Sequence, residues 1–149
     1  MKRDPALVSL SRDHHKALAV ARKLRRATKD ATLEARAEIL SYWQTAGRAH
    51  FRTEEEVLLP AYAGYGDAHH PLVARALCDH VAIRHRIDEL TADATPAAAR
   101  LHELGRMLAD HVRMEERELF VLIEQALPAS QLAAVSRALA QAEKPTRDG

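Results

Sequence analysis

Cysteine is nearly absent from this sequence: Cys78 stands alone. One thiol excludes a disulfide framework and any cysteine-rich zinc or iron–sulfur site. Breakers of regular structure are scarce, with five glycines and six prolines in 149 residues. No apolar stretch is long enough to span a bilayer. The opening Met1-Lys2-Arg3-Asp4-Pro5 leads into mixed polar sequence, without the apolar core of a secretory signal. These absences lead us to expect a cytoplasmic protein. Neither sign of charge dominates. The formal net charge is +1, too balanced to make nucleic acid or a membrane surface the main partner.

What the chain does have is helix-forming sequence. Ala, Leu, Arg and Glu predominate and apolar residues make up 47%, a composition that favours helices. The length suits one domain, residues 1–149, with its own core. The first helix is expected over about Ser9–Thr28, with Leu10, Ala17, Leu18, Ala21 and Leu24 at helical spacing. Asp30 and Thr32 offer a break and an N-cap. The second is expected over about Leu33–Leu59, with Leu40, Trp43, Gly47 and Leu58 on one face, and Pro60 and the Gly64–Gly66 segment end or bend it. Pro71 opens a third helix to about Leu90, with Val73, Leu77, Ile83 and Ile87 inward. Thr95-Pro96 caps and starts a fourth, which carries Leu101, Leu104, Leu108, Leu119 and Leu122 and ends before Pro128. A shorter helix spans about Ser130–Ala142, and the last residues read as a frayed end. Four long amphipathic helices with short connections predict an all-α, up-down-up-down four-helix bundle over about residues 9–127, followed by a short C-terminal fifth helix.

Histidine is abundant, with nine residues, and its placement carries the chemistry. His50 and Glu54 lie four apart on the second helix, as do His111 and Glu115 on the fourth. Each pair therefore shares a helix face, and that face is otherwise apolar. His14 falls between Leu10 and Leu18, and His80 among Leu77, Ile83 and Ile87. All four helices thus turn a ligand-type side chain inward. A buried carboxylate without a partner costs several kcal/mol, against a total folding stability of about 5–15 kcal/mol. Two metal ions bridged by two carboxylates, with imidazoles completing the shell, would compensate. Four His and two Glu give each ion two imidazoles and a share in both carboxylates, with room for a solvent bridge and a small ligand. Imidazole with carboxylate suits iron, manganese or zinc. Ferritin-like sites use Glu-x-x-His, the opposite order at a different spacing.

An internal repeat points the same way. His50-Phe51-Arg52-Thr53-Glu54-Glu55 matches His111-Val112-Arg113-Met114-Glu115-Glu116, and Asp13-His14 matches Asp79-His80. The chain reads as two helical hairpins, each giving one single His and one His–Glu pair.

The order His, His-x-x-x-Glu, His, His-x-x-x-Glu resembles the hemerythrin-like, cation-binding His-His-Glu domain, over about residues 9–127. The flanking stretches Ser11-Arg12-Asp13-His14-His15, Glu54-Glu55-Glu56-Val57-Leu58-Leu59-Pro60 and Glu115-Glu116-Arg117-Glu118-Leu119-Phe120 resemble bacterial single-domain members. The resemblance implies that His14, His50, His80 and His111 are metal ligands and that Glu54 and Glu115 bridge. It further implies two iron ions with an oxo or hydroxo bridge, zinc or manganese being alternatives, and a small ligand such as dioxygen, nitric oxide or peroxide. Oxygen-carrying relatives place a second His one turn after the third-helix His, where this chain has Arg84. Their last carboxylate lies five residues after its His, which is Glu116 here; Glu115 is preferred because it repeats the Glu54 spacing. The loss of the fifth His fits sensing, iron handling or oxidative chemistry better than oxygen transport, unless His15 or His85 replaces it.

The other polar residues have plainer readings. His15, His69, His70, His85 and His102 read as surface or loop residues. Glu55, Glu56, Glu116 and Glu118 read as a solvated acidic face, Asp13 and Asp79 as surface charges or as acceptors that orient imidazoles. Trp43 and Cys78 read as core, and Arg84 as either a cation beside the site or a snorkelling side chain. A binding or sensing role is expected ahead of an enzymatic one, since no separate acid, base or substrate motif is legible. A di-iron oxidase or peroxidase, or a non-catalytic helical interaction module with a structural metal, is the alternative. The Ala/Leu-rich tail suits a homodimer or another partner.

Overall fold

A computed structural model describes residues 2–143; the end expected to fray, 144–149, lies outside the described residues. Among the described residues the chain is helical and contains no strand, as the composition requires. A 3-10 turn, Pro5–Leu7, is capped by Asp4, whose carboxylate accepts from the Ala6 N–H at 2.9 Å. Helix α1, Val8–Arg25, follows directly. Helix α2 occupies 32–63 without interruption, α3 is Pro71–Ala92, α4 occupies 98–126, and α5 is Ala129–Glu143. Helix α1 packs on α2 and α4, and α3 packs on α2 and α4, so the four long helices close a ring in chain order.

The helix boundaries differ from the sequence reading in instructive ways. Helix α1 stops at Arg25, three residues early, and a 3-10 turn at Lys29–Ala31 leads into α2. Pro60 does not end α2. It follows a wide π-helical turn, Glu54–Leu58, in which the Leu59 N–H bonds the Glu54 carbonyl. The equivalent turn in α4, Glu115–Leu119, forms the same bond from Phe120 to Glu115 with no proline nearby, so proline is not its cause. A third wide turn, Trp43–Gly47, lies one turn before His50. Helix α4 begins at Ala98 rather than at Thr95-Pro96, without a side-chain cap. Helix α3 begins at Pro71 as expected, and the His70 ring accepts from the Leu72 N–H at 3.0 Å. Leu77, expected inward, is 40% exposed while Ala76 is buried. Cys78, expected in the core, is exposed. A 22-residue helix turns only one stripe inward, and His80 and Ile83 fix that stripe one residue away from Leu77.

The interior is divided. One apolar cluster gathers Ala21, Leu24, Ile39, Trp43, Ile83, Ile87, Leu104 and Leu108. A second gathers Leu7, Leu10, Leu58, Tyr62, Val73, Leu119, Phe120 and Ile123, and α5 lays Leu132, Val135 and Leu139 on it. Each long helix crosses from one cluster to the other at its His or His–Glu pair. A polar layer therefore spans the bundle between two dry halves.

Candidate metal centre

All six residues singled out in the sequence meet in that layer. His14, His50, Glu54, His80, His111 and Glu115 are each at most 4% exposed. Glu54 Oε1 lies 3.1 Å from His50 Nε2 and 3.3 Å from His80 Nε2. Glu115 Oε1 lies 3.0 Å from His14 Nε2 and 3.2 Å from His111 Nε2. Each carboxylate thus reaches an imidazole of both hairpins. The donors form two groups, His14–His50–Glu54–Glu115 and Glu54–His80–His111–Glu115, and within each group the ligand atoms lie within 4.8 Å of one another. Both groups contain both carboxylates, the arrangement two bridged ions need.

The outward ring nitrogens are equally ordered. Asp13 on α1 pairs with His50 Nδ1 on α2 at 3.1 Å. Glu55 on α2 pairs with His80 Nδ1 on α3 at 2.6 Å. Asp79 on α3 pairs with His111 Nδ1 on α4 at 3.0 Å, and Glu116 on α4 pairs with His14 Nδ1 at 2.8 Å. Each helix gives one carboxylate to the next helix's histidine, and the ring closes. A carboxylate at Nδ1 accepts its N–H, which leaves the Nε2 lone pair free to point inward and makes it a better ligand.

Aromatic rings fix two of the imidazoles from the side. Phe51 stacks on His80 with centroids 3.8 Å apart, and Phe120 on His14 at 5.2 Å.

The inner atoms are poorly satisfied by protein alone. Both oxygens of Glu54, Glu115 Oε2, and Nε2 of His80 and His111 are buried without a hydrogen-bond partner. Of the carboxylate–Nε2 contacts, only His14–Glu115 is aimed as a hydrogen bond; the others are close but point into shared space. Buried polar atoms are ordinarily paired, so a cluster of orphans with convergent lone pairs is what a cation site leaves when only protein atoms are counted. The donor set, imidazole and carboxylate, fits iron and similar borderline cations.

The electrostatics match. Burial by itself pushes the His50 imidazole down, but the close Glu54 charge, with the hydrogen bond to Asp13, overcomes it and raises the pKa to about 10. Burial likewise lowers His111, and the close Glu115 charge with the hydrogen bond to Asp79 raises it to about 10. His14 is raised against its burial by Glu115 and Glu116. Burial would raise Glu54, yet the His50 charge and the surrounding imidazoles hold it well below the usual carboxylate range. The site is a concentrated negative charge that attracts protons or a metal cation.

The remaining histidines stay out of the layer. His15 is exposed beside His14. His85 pairs with Glu89 at 3.0 Å on the surface, His69 is exposed, and His102 bonds the Ala27 carbonyl at 2.7 Å. Arg84 lies outside the cluster, 3.2 Å from Glu55. Glu116 does not join the inner six, since it holds His14 from outside. Glu55 and Glu116, expected on a solvated acidic face, instead each hold the outer nitrogen of an inner histidine. The doubled Glu-Glu in both copies of the repeat was the available signal.

An all-α bundle with a buried His/Glu layer of this kind defines a cation-binding helical domain. The Hemerythrin HHE cation binding domain model matches residues 6–123, and the chain belongs to that family. No curated protein and no solved structure matches it.

Proposed function

We propose that this protein holds two iron ions, with Glu54 and Glu115 bridging them, His14 and His50 completing one shell and His80 and His111 the other. The observation that carries this reading is the convergence of six buried donors into two groups that share both carboxylates, most of their inner atoms having no protein partner. Such a pair of ions supplies electron exchange and an open position for a small ligand. The chain's own residues orient the imidazoles, neutralise the cations and exclude bulk water. The ligand we propose is dioxygen, nitric oxide or peroxide, with binding or sensing as the role, in the cytoplasm.

We place the approach of such a ligand at one cleft of about 550 Å³, lined by Arg3, Ser11, Arg12, His14, His15 and Glu116, which lies on the His14 side of the layer. Elemental analysis of protein from iron-replete cells should give close to two irons per chain, with clear loss in His50→Ala and an absorption band after air exposure that shifts with nitric oxide. Colourless, metal-free wild-type protein would overturn the reading.

A further inference from the structure

The two outer carboxylates that hold His14 and His80 are themselves held, each by an arginine. Arg3, in the segment before α1, places Nη2 2.9 Å from Glu116 Oε2 and also donates to the Glu116 carbonyl oxygen. Its Nη1 donates to Glu124 Oε1 at 2.8 Å, and that same oxygen accepts the Asp4 N–H at 3.0 Å. The guanidinium lies over Phe120, 5.4 Å from the ring centre, and Phe120 stacks on His14. In the other half, Arg84 places Nη2 3.2 Å from Glu55 Oε2. Its guanidinium lies 5.7 Å from the centre of Phe51, which stacks on His80.

The two constellations are equivalent piece by piece: arginine, carboxylate, imidazole, and an aromatic ring lying against both the imidazole and the guanidinium. The carboxylates and imidazoles belong to the internal repeat. The arginines do not, since Arg3 precedes the first hairpin and Arg84 follows His80 by one turn. Two unrelated positions in the sequence supply the same group at the same place.

We propose that Arg3 and Arg84 are positioning residues of the metal centre. Each locks one outer carboxylate against a ligand histidine, and so slows release of the ion that histidine binds. The inference rests on the two-metal reading above. The locks differ in form. Arg3 uses the two arms of its fork on two different glutamates, which ties the segment before α1 to α4 across the bundle. Arg84 makes one ion pair and is about one-third exposed. A planar fork that bridges two acids is not replaceable by an ammonium, whereas a single ion pair is kept by one even where the stacking on the ring is lost.

The test is the rate at which excess chelator strips iron from the loaded full chain, for wild type, Arg3→Ala, Arg3→Lys, Arg84→Ala, Arg84→Lys, Glu116→Gln and Arg3→Ala with Glu116→Gln. Arg3→Ala and Arg84→Ala should each speed loss of one of the two ions by about tenfold, the lower end of the effect of groups outside the ligand shell. Lysine should restore most of the rate at 84 and little at 3. Because Arg3 acts through Glu116, the double variant should release iron no faster than Glu116→Gln alone. A merely structural Arg3 would instead multiply with Glu116→Gln, and that result would overturn the proposal, as would wild-type release rates in both alanine variants. A wild type that takes up no metal would sink the two-metal reading itself, and the inference with it.

Discussion

Each inner histidine is held at Nδ1 by an outer carboxylate and turns Nε2 toward the inner carboxylates, and both ends have measurable consequences. His50 and His111 bind protons with pKa values of about 10, and a metal needs the neutral imidazole. Metal uptake near neutral pH should therefore displace a proton from each of them, and affinity should fall as pH falls. Calorimetric titration in two buffers of different ionisation enthalpy will show it; binding that takes up no buffer protonation signal would contradict the electrostatics. The same shifts predict the stability of the metal-free chain. A histidine raised from 6.5 to about 10 contributes fully below pH 6.5 and loses its contribution as pH rises through 10. Glu116 runs the other way. Burial would raise it, but the hydrogen bond from His14, the nearby Ser11 hydroxyl and the charges of His14 and Arg3 lower it to about 2. Its contribution is present above pH 4.5 and is lost as pH falls through 2. Denaturant midpoints of metal-free protein should thus decline at both ends. Among the orienting acids, Asp79→Ala leaves His111 Nδ1 without its acceptor, and metal affinity should drop by about 10–100-fold in a chelator competition assay.

The helices deliver these residues through local geometry that departs from the regular α-helix. Wide turns follow both His-x-x-x-Glu pairs, each opening at the carbonyl of the inner glutamate. Turns of this kind concentrate at functional sites. Here the glutamate that opens the turn faces the layer while its successor, Glu55 or Glu116, reaches the neighbouring helix. Their existence was not legible in the sequence, because each is a single turn, too short a feature to set an apolar period of its own. The close approach of α1 and α4 also needed tertiary coordinates. A Cβ at Gly105 would sit 2.8 Å from the Ala21 carbonyl oxygen and 2.7 Å from Arg25 Cγ. The carbonyl oxygen is backbone and cannot move aside, so Gly105→Ala should destabilise the fold by about 1–3 kcal/mol, the range for overpacking. Urea unfolding of the metal-free protein measures it, and an unchanged or higher midpoint would mean that α1 shifts freely.

At the scale of the molecule, a charged layer sits between two apolar halves that would otherwise form one core. The half beside the wide turns is closed by α5, which buries Leu132, Val135 and Leu139 against it. No helix among the described residues is long and apolar enough to cross a membrane. The layer weakens the metal-free bundle, since orphaned polar atoms cost free energy wherever they are buried. Metal binding removes that cost and is linked to folding. At a thousandfold excess over its Kd, a ligand adds about 4 kcal/mol, which for a chain of this size raises Tm on the order of 10 °C. Chelation should lower Tm by that amount and iron should restore it, whereas zinc in place of iron should restore stability without the absorption band. A Tm indifferent to chelator would show that the layer satisfies itself.

The sequence alone determined the class of fold and the six inner residues. Helical periodicity is a local property, and His50–Glu54 and His111–Glu115 share a face whatever surrounds them. The repeated Glu-Glu and Asp-His pairs were visible too, but not whom they serve. Asp13 stands next to His14 in the chain yet holds His50, and Asp79 stands next to His80 yet holds His111. Adjacent residues on a helix point about 100° apart, so an acid beside an inner histidine cannot reach it and turns to the next helix instead. That cross-helix exchange and the meeting of Arg3 with Glu116 more than a hundred positions away were decided only by packing, which joins what the chain keeps apart.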